Sequence, residues 1–537
     1  MTLSEKIKQR ILKFLGLERL GQNPNNDRFT FMGDAEKVIA KKVQENKIWY
    51  YGDSNELLNF YTAQDTYGNM ENPIYNRNKF EYFWGISAEE NHIKRVHSGV
   101  PNAIVTTITN IVGTPDISSK DENLNARIDK LTTKTNFKNL LNQKQIPMTL
   151  VCGWGAFKPI VDRNISDVPL LEWYDGDNVE FAVEHGIVVG IIYKDYYTYK
   201  NKNYVFIETR RIVGGNSKIE YELYRYDKSN QVEKVDLDEV PYFSKLSKDG
   251  LEIPNYKKVL GIPSIFFYDQ NNTNYGRSIF MGKLDLFDDL DQDLSQASQT
   301  SRVSTPVEYF PVDLIERGKN GEARLPKVYN RQFIGSNSYP NGDGELSGEI
   351  KTSQPVLNFA QYNDKCMNTL NLILTGILSP ATMGMNMAKD DTAMSQREKE
   401  KVSLMTRNNI IEREEKFVKE TMSILLDLQE WMETGTITLQ DYDISVKFDE
   451  FASPSFENVG ASLIQLLTQG GLSPKRYVEK LYGDSLSDEE KQEEIDYITS
   501  RLEQDNLDSN GFDWKDTYGT GFRENTKEQN FNQEQTE

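Results

Sequence analysis

The chain has 537 residues, a formal net charge of −20 and only two cysteines, Cys152 and Cys366. That length exceeds one ordinary domain, and 37% apolar with 27% charged residues excludes a disordered chain. The acidic balance argues against a sequence-reading DNA binder, which needs a basic footprint, yet suits a wall that DNA slides past.

No apolar run approaches the roughly 18 residues that cross a bilayer. The two cysteines make no disulfide framework and suit a reducing cytoplasm. The N-terminus reads as a basic amphipathic helix (Leu3, Ile7, Ile11 and Phe14 among Lys6, Lys8, Arg10 and Lys13) without the apolar core of a signal peptide; such a helix can bind a membrane surface, but docking on the protein's own core or a neighbour is its commoner fate. Helices are predicted over Asp34–Tyr51, stopped by Gly52, over Ser54–Thr62, His92–Val112 and Asn123–Asn142. From Met148 to Tyr226 the residues turn β-branched and aromatic. Val179–Val183, Ile187–Tyr193, Tyr204–Glu208 and Ile219–Leu223 read as strands of an antiparallel sheet or small barrel, with one more at Ile262–Phe267.

At Gly276 the period changes. Phe280, Leu284, Phe287 and Leu294 form an oily flank of a helix ending near Ser304-Thr-Pro306. Asp285, Asp288, Asp289 and Gln292 fall together on the opposite side and are expected to be solvated. Residues 305–356 form a small α/β insert with short strands at Val307–Phe310 and Lys327–Tyr329. Leu357–Leu378 is a second apolar helix with two stripes, Phe359, Cys366, Leu370, Ile373 and Ile377 beside Ala360, Met367, Leu374 and Leu378; burial on more than one side is expected, including against a neighbouring subunit. The loop 379–391 follows, with Met383, Met385 and Met387 at alternate positions. A charged helix of about 40 residues comes next, opened by Asp391 or by the capping box Ser395-x-x-Glu398. Its apolar stripe (Ile411, Val418, Met422, Leu425, Met432) develops only in its second half, so a bend is expected. Strands over Ile437–Phe448 are expected to rejoin the earlier sheet. A separate helical unit carries Phe456, Val459, Leu463 and Leu466, then Ser473-Pro474, then Ser487-x-x-Glu490 with Ile495, Ile498 and Leu502. From about Asp505 the chain reads as a disordered tail.

Catalytic chemistry is hard to find. There is no G-x-x-x-x-G-K-[ST] for a phosphate-driven motor, no G-x-S-x-G elbow, and His92, His97 and His185 have no zinc spacing. Asp289-x-Asp291-x-Asp293 opens like a calcium loop, but Leu294 stands where glycine is required and Thr300 where glutamate should close it. Paired carboxylates are always available among 82 acidic residues, so a carbohydrate-active enzyme using two acids stays open as a rival. For the loop 379–391 two readings stand: methionines that fill core gaps, or flexible side chains, with Gly384 and Lys389, that grip a partner without one fixed geometry. In a symmetric assembly Lys389 would become a ring of charge.

The order of acidic helix, α/β insert, apolar helix, flexible loop, long helix, strand and helical bundle resembles the portal proteins of tailed bacteriophages, in particular the siphophage type from Gram-positive hosts. The likeness is clearest over Tyr275–Leu467, carried by Tyr275-Gly-Arg-Ser278 and by Asp391-Thr-Ala-Met-Ser-Gln-Arg-Glu-Lys-Glu-Lys401. It implies an α+β, portal-like fold. Residues 1–275 would be N-terminal helices and a β-rich wing, 276–304 and 357–378 the stem helices, and 305–356 the clip. Residues 379–391 would be the tunnel loop, 392–435 the kinked helix, 436–455 wing strands, 456–504 a helical crown and 505–537 the tail. It further implies a dodecameric ring at one capsid vertex of the virion, assembled in the bacterial cytoplasm, with no enzymatic centre, cofactor, metal or membrane. The expected partners are double-stranded DNA passing through without sequence specificity, the terminase large subunit, major capsid and scaffolding proteins, and a head-completion adaptor. Met383, Gly384, Met385, Asn386, Met387, Lys389 and Asp390 would line the tunnel, with Asp285, Asp288 and Asp289 as an acidic wall. Phe280, Leu284, Phe287, Leu370, Ile373 and Ile377 would pack between subunits. Another head structural protein, such as a minor capsid protein, is the second alternative.

Overall fold

In the computed structural model of the chain, the described residues are 17–19, 34–62, 82–86, 93–226, 232–269, 275–304, 307–311, 319, 332–336, 351–353, 359–385, 393–437, 439–449, 463–464, 467, 472–482 and 488–507. They fall in two compact units, one within Met1–Asp449 and one within Glu450–Glu537. Helices and antiparallel sheets occupy separate stretches, so the chain is an α+β protein. The predicted N-terminal basic helix and the tail beyond Leu507 lie outside the described residues, as do Lys327–Tyr329, Phe456, Val459, Leu466 and Ser487.

The first unit begins with a short strand β1 (Leu17–Arg19) and helix α1 (Asp34–Tyr51), which Gly52 ends at φ +68°. Helix α2 spans Ser54–Thr62 and α3 spans Val100–Val112. The third is shorter than expected, because left-handed Gly99 and Pro101 in its first turn fix its start; residues 93–99 carry no regular structure. After β2 (Pro115–Ser118), the predicted helix over Asn123–Asn142 is broken. Helix α4 (Glu122–Thr135) is capped by Asp121 and stopped by Asn136 at φ 53°. Helix α5 (Phe137–Leu140), a π-helical turn (Leu141–Gln145) and α6 (Ile146–Cys152) then run on. The β-branched stretch around Leu150–Val151, expected to start the sheet, is therefore helical. Its side chains are fully buried, and packing overrides their weak helical preference.

Strands β3 (Trp154–Ile160), β4 (Leu170–Asp175), β5 (Val179–Glu184), β6 (Ile187–Tyr199), β7 (Lys202–Val213), β8 (Asn216–Tyr226), β9 (Val232–Val235), β10 (Leu251–Ile253) and β11 (Ile262–Ile265) contain the strands expected here, except that the last, expected to reach Phe267, ends at Ile265. They form a seven-stranded sheet ordered β1-β6-β7-β8-β10, with β5 on β6 and β9 on β8, and a three-stranded sheet ordered β11-β3-β4; all pairings are antiparallel.

A buried charged network fastens the two sheets. Lys158 of β3 donates to Tyr174 Oη at 2.7 Å and to Glu208 of β7 at 3.2 Å. Arg210 donates to Glu208 at 2.7 Å and to the carbonyls of Pro159 and Leu260 at 2.8 and 2.6 Å. Burial alone would raise the Glu208 carboxyl, but the charges of Arg210 and Lys158 outweigh it and hold the group down at about 2.

Helix α7 (Leu284–Val303) leads to a small sheet of β12 (Val307–Pro311), β13 (Gln332–Ser336) and β14 (Lys351–Ser353), in which β12 pairs parallel with β13 and antiparallel with β14. Helices α8 (Phe359–Leu374) and α9 (Ala393–Thr434) follow, the latter 42 residues without interruption. Strand β15 (Ser445–Phe448) does not rejoin the large sheet as expected. It pairs with β2, because α9 returns the chain beside the N-terminal helices. Ile410, Phe417, Val418, Met422, Ile424, Leu425 and Leu426 of α9 lie in one core with residues of α3, α6, α7 and α8. Arg407, also on α9, donates to Ile111 O at 2.5 Å and to Asp449 O.

The second unit packs Leu463, Tyr477 and Val478 with Leu467, Leu481, Ile495 and Ile498. Among its described residues are helices α10 (Pro474–Tyr482), opened by Pro474 as the Ser473-Pro474 pair predicts, and α11 (Asp488–Leu507), and Leu463, Ile464 and Leu467 are helical too.

Candidate functional site: an antiparallel helical pair and the segment that follows it

The segment before α7 is tied down rather than helical. Arg277 N donates to Phe267 O at 2.8 Å and Ile279 N to Leu150 O at 3.0 Å, and Gly282 turns at φ +74°. The first long helix, expected from 276, therefore starts only at Leu284. Its partner, expected to reach Leu378, stops at Leu374, with Gly376 at φ +79° just beyond. Lys283 Nζ donates to the carbonyls of Leu372 and Thr375 at 2.8 and 3.2 Å, placing a cation on the C-terminal end of α8. About three turns further along, Asp293 of α7 pairs with Lys365 of α8. The start of α7 thus meets the end of α8 and the two run antiparallel.

The acidic flank of α7 splits in two. Asp285 and Asp289 are exposed, as predicted. Asp288 is buried and belongs to no solvated wall: it accepts the backbone N–H groups of Phe83 at 2.7 Å and Trp84 at 3.3 Å. Burial, with the neighbouring Asp291 and Asp289 charges, pushes its carboxyl up to about 7 against those two hydrogen bonds. Asp291, fully buried, accepts Trp84 Nε1 at 3.1 Å and Ser98 N at 2.8 Å and meets His97 Nδ1 at 2.8 Å. Ser295 adds a bond from Val96 N at 2.8 Å. A face that looks solvated by helical periodicity is instead a row of acceptors for the main chain of Phe83, Trp84, Val96 and Ser98. The three carboxylates of the calcium-like run stand on one helix, two of them buried with separate partners. Among the described residues no group of three or more His, Cys, Asp or Glu could hold a metal ion.

The residues expected between subunits divide likewise. Phe280, Phe287 and Ile373 are sealed in the chain's own core, Phe287 lying 5.7 Å from the Trp49 ring and 5.3 Å from that of Phe280. They cannot contact another subunit. Leu284, Leu370 and Ile377 are half-buried against the same core. The apolar side chains that this region presents outward are others: Met281 at 55%, Leu372 at 56% and Met367 at 37% exposure.

The expected loop is partly folded. Ser379–Met385 forms successive turns, with Thr382 N on Ser379 O and Met385 N on Pro380 O. It is pinned to α9, since Ser379 N donates to Ser403 Oγ at 2.8 Å, Thr382 Oγ1 meets Ser403 Oγ at 2.7 Å, and Thr406 Oγ1 donates to Ile377 O at 2.7 Å. Met383 and Met385 are half-buried against the main core, while Gly384 is exposed at φ +74°. So the gap-filling reading describes these two methionines. Asn386, Met387, Lys389 and Asp390 lie outside the described residues. Ser403 and Thr406, which sequence reasoning missed, had one signal: small hydroxyl residues inside an otherwise charged helix. No family model and no curated protein matches this chain.

Proposed function

We propose that the chain is a portal-type subunit: one member of a ring, expected to be dodecameric, that conducts double-stranded DNA at a capsid vertex. The observation that supports this reading is one arrangement. An antiparallel helical pair, α7 and α8, carries a small mixed sheet between its members in sequence, and a folded turn pins the second helix to a 42-residue helix that packs one side into the core. Such a pair projects its insert away from a core that the long helix anchors. In this reading the sheet of β12–β14 belongs to the clip, the β-rich stretch to the wing, and the second unit to the crown. In this reading the loop 379–391 is the part nearest the DNA, and Asp285 and Asp289 supply the negative charge that keeps DNA mobile. The subunit nucleates head assembly with capsid and scaffolding proteins, docks the terminase large subunit during packaging, and later holds an adaptor. It acts without an enzymatic centre of its own.

Native mass measurement with negative-stain imaging tests the reading. A closed ring is expected, alone or on co-production with the capsid and scaffolding proteins. A chain that stays monomeric in both settings overturns it; incorporation at many capsid positions, rather than one, indicates a minor capsid protein instead. In a ring, Lys389→Ala is expected to assemble normally and to change DNA retention. Unchanged packaging would remove Lys389 from the DNA path.

A further inference from the structure

Glu414 lies on α9, completely buried. Its Oε2 accepts from Gln145 Nε2 at 2.9 Å, across from the last residue of the π-helical turn. The same Nε2 donates to Ser264 Oγ of β11 at 2.9 Å, and Ser264 Oγ meets Thr149 Oγ1 of α6 at 2.9 Å. Both amide hydrogens of Gln145 are therefore used. Two buried acceptors are left over, Glu414 Oε1 and Gln145 Oε1, neither with a partner. An ionised Glu414 would leave both as orphans, which buried polar atoms rarely are.

Among the described residues no cation is paired with the carboxyl. The groups that face it, Gln145 from the π turn with Ser264 and Thr149 behind, are uncharged. The neighbouring cations of its own helix are engaged elsewhere: Arg407 on the carbonyls of Ile111 and Asp449, Arg413 over the Tyr268 ring at 5.1 Å, Lys416 on Glu412 at 3.2 Å. Of the cations that other elements bring to α9, Lys258, from the loop between β10 and β11, is bound to Ser423 and Asp427, and Arg127 and Arg163 reach the carbonyls of Leu426 and Met432.

We propose that Glu414 is a neutral carboxylic acid at neutral pH, its proton carried on Oε1 and donated to Gln145 Oε1, and that this proton is the removable fastener between α9 and the π turn. An acid and an amide matched in this way make two parallel hydrogen bonds, so a single proton satisfies both leftover oxygens. Burial pushes the Glu414 carboxyl up to about 8, the Gln145 hydrogen bond opposing it. The group binds a proton in the fold that it would lose when unfolded. Its contribution is thus greatest at acid pH and is lost as pH rises toward and through about 8. Above that, a carboxylate faces an amide oxygen with no donor between them. A π turn holds one residue more than an α turn and can relax by passing it along the helix, so this is where the contact gives way. The same helix carries Ser403 and Thr406, which hold residues 377–382.

Hydrogen exchange of the full chain, read over residues 141–152 and 408–420 from about pH 6 to about pH 9, tests the proposal. Wild type is expected to show roughly tenfold faster exchange at the alkaline end than intrinsic base catalysis explains, and Glu414→Gln, which keeps an uncharged partner, no such excess. Equal behaviour of the two proteins overturns the proposal. Should Glu414→Gln fail to fold, infrared spectroscopy of wild type carrying 13C-glutamate decides. A protonated glutamate carbonyl band present near pH 7 and lost toward pH 9 is expected; its absence at about pH 7 overturns the proposal.

Discussion

Asp291 and Ser98, 193 residues apart in sequence, meet at 2.8 Å as carboxylate and backbone N–H, and the same carboxylate takes Trp84 Nε1 and His97. Asp291→Ala leaves those buried donors without an acceptor, so it is expected to cost about 3 kcal/mol in chemical denaturation. Asp285→Ala, on the exposed side of the same helix, is expected to stay within about 0.5 kcal/mol. Equal losses would mean that the acidic flank is a single surface after all.

The Glu208 carboxyl works in the opposite sense from Glu414. Its folded value of about 2 lies below its ordinary 4.5, so the stability it contributes is present above about 4.5 and lost as pH falls toward 2. The shift corresponds to about 3 kcal/mol. Glu208→Gln is expected to lose that order of stability near neutral pH, since Arg210 and Lys158 are left buried without their anion, and to converge on wild type in acid. Denaturation midpoints measured across the acid range check it; a constant difference would refute the linkage.

Gly153 closes α6 at φ +95°, and a Cβ there would lie 2.7 Å from Gly276 O. Gly153→Ala combines an unfavourable backbone with a steric clash against main chain, which cannot swing away. A loss of about 3 kcal/mol is expected, read as a lowered thermal midpoint.

Lys283→Ala removes the cation from the end of α8. The expected cost is about 1 kcal/mol, with faster amide exchange confined to residues 372–378. Exchange unchanged there would assign the Lys283 contacts no capping value.

Cys152 is buried, and burial raises its thiol, whereas Cys366 is only half-buried. A disulfide reagent is therefore expected to modify Cys366 first and Cys152 only on unfolding. Equal rates in the native protein would contradict the burial of Cys152.

The helix ends and strands that rest on local signals were readable before folding was considered. Gly52 ends α1, Pro474 opens α10, and the alternation at Ile219–Leu223 marks a true strand. What periodicity could not supply was the identity of the neighbour. Asp288 and Asp291 are polar, so a helical wheel sends them to water; the backbone donors of Phe83, Trp84 and Ser98 bring them inside. Val151 favours a strand in isolation, but the space it fills lies beside helices. Phe280, Phe287 and Ile373 were legible as packing residues, and only the partner was misjudged, since a monomer core and a subunit interface ask for the same side chains. The half-folded segment Ser379–Met385 depends on one hydroxyl, Ser403, more than twenty positions away, which no local pattern reports.

The antiparallel run of α7 and α8 fixes both ends of everything between Val303 and Phe359 at neighbouring points of the body. That intervening stretch is consequently a cassette. The two helices that flank it are held by the Asp293–Lys365 pair and by the core. Drift or wholesale exchange within it can retune what docks there while the hub of helices keeps its register. Grafting a foreign insert of similar end-to-end span should leave the cooperative unfolding of the first unit nearly unchanged, whereas cutting either helix should not.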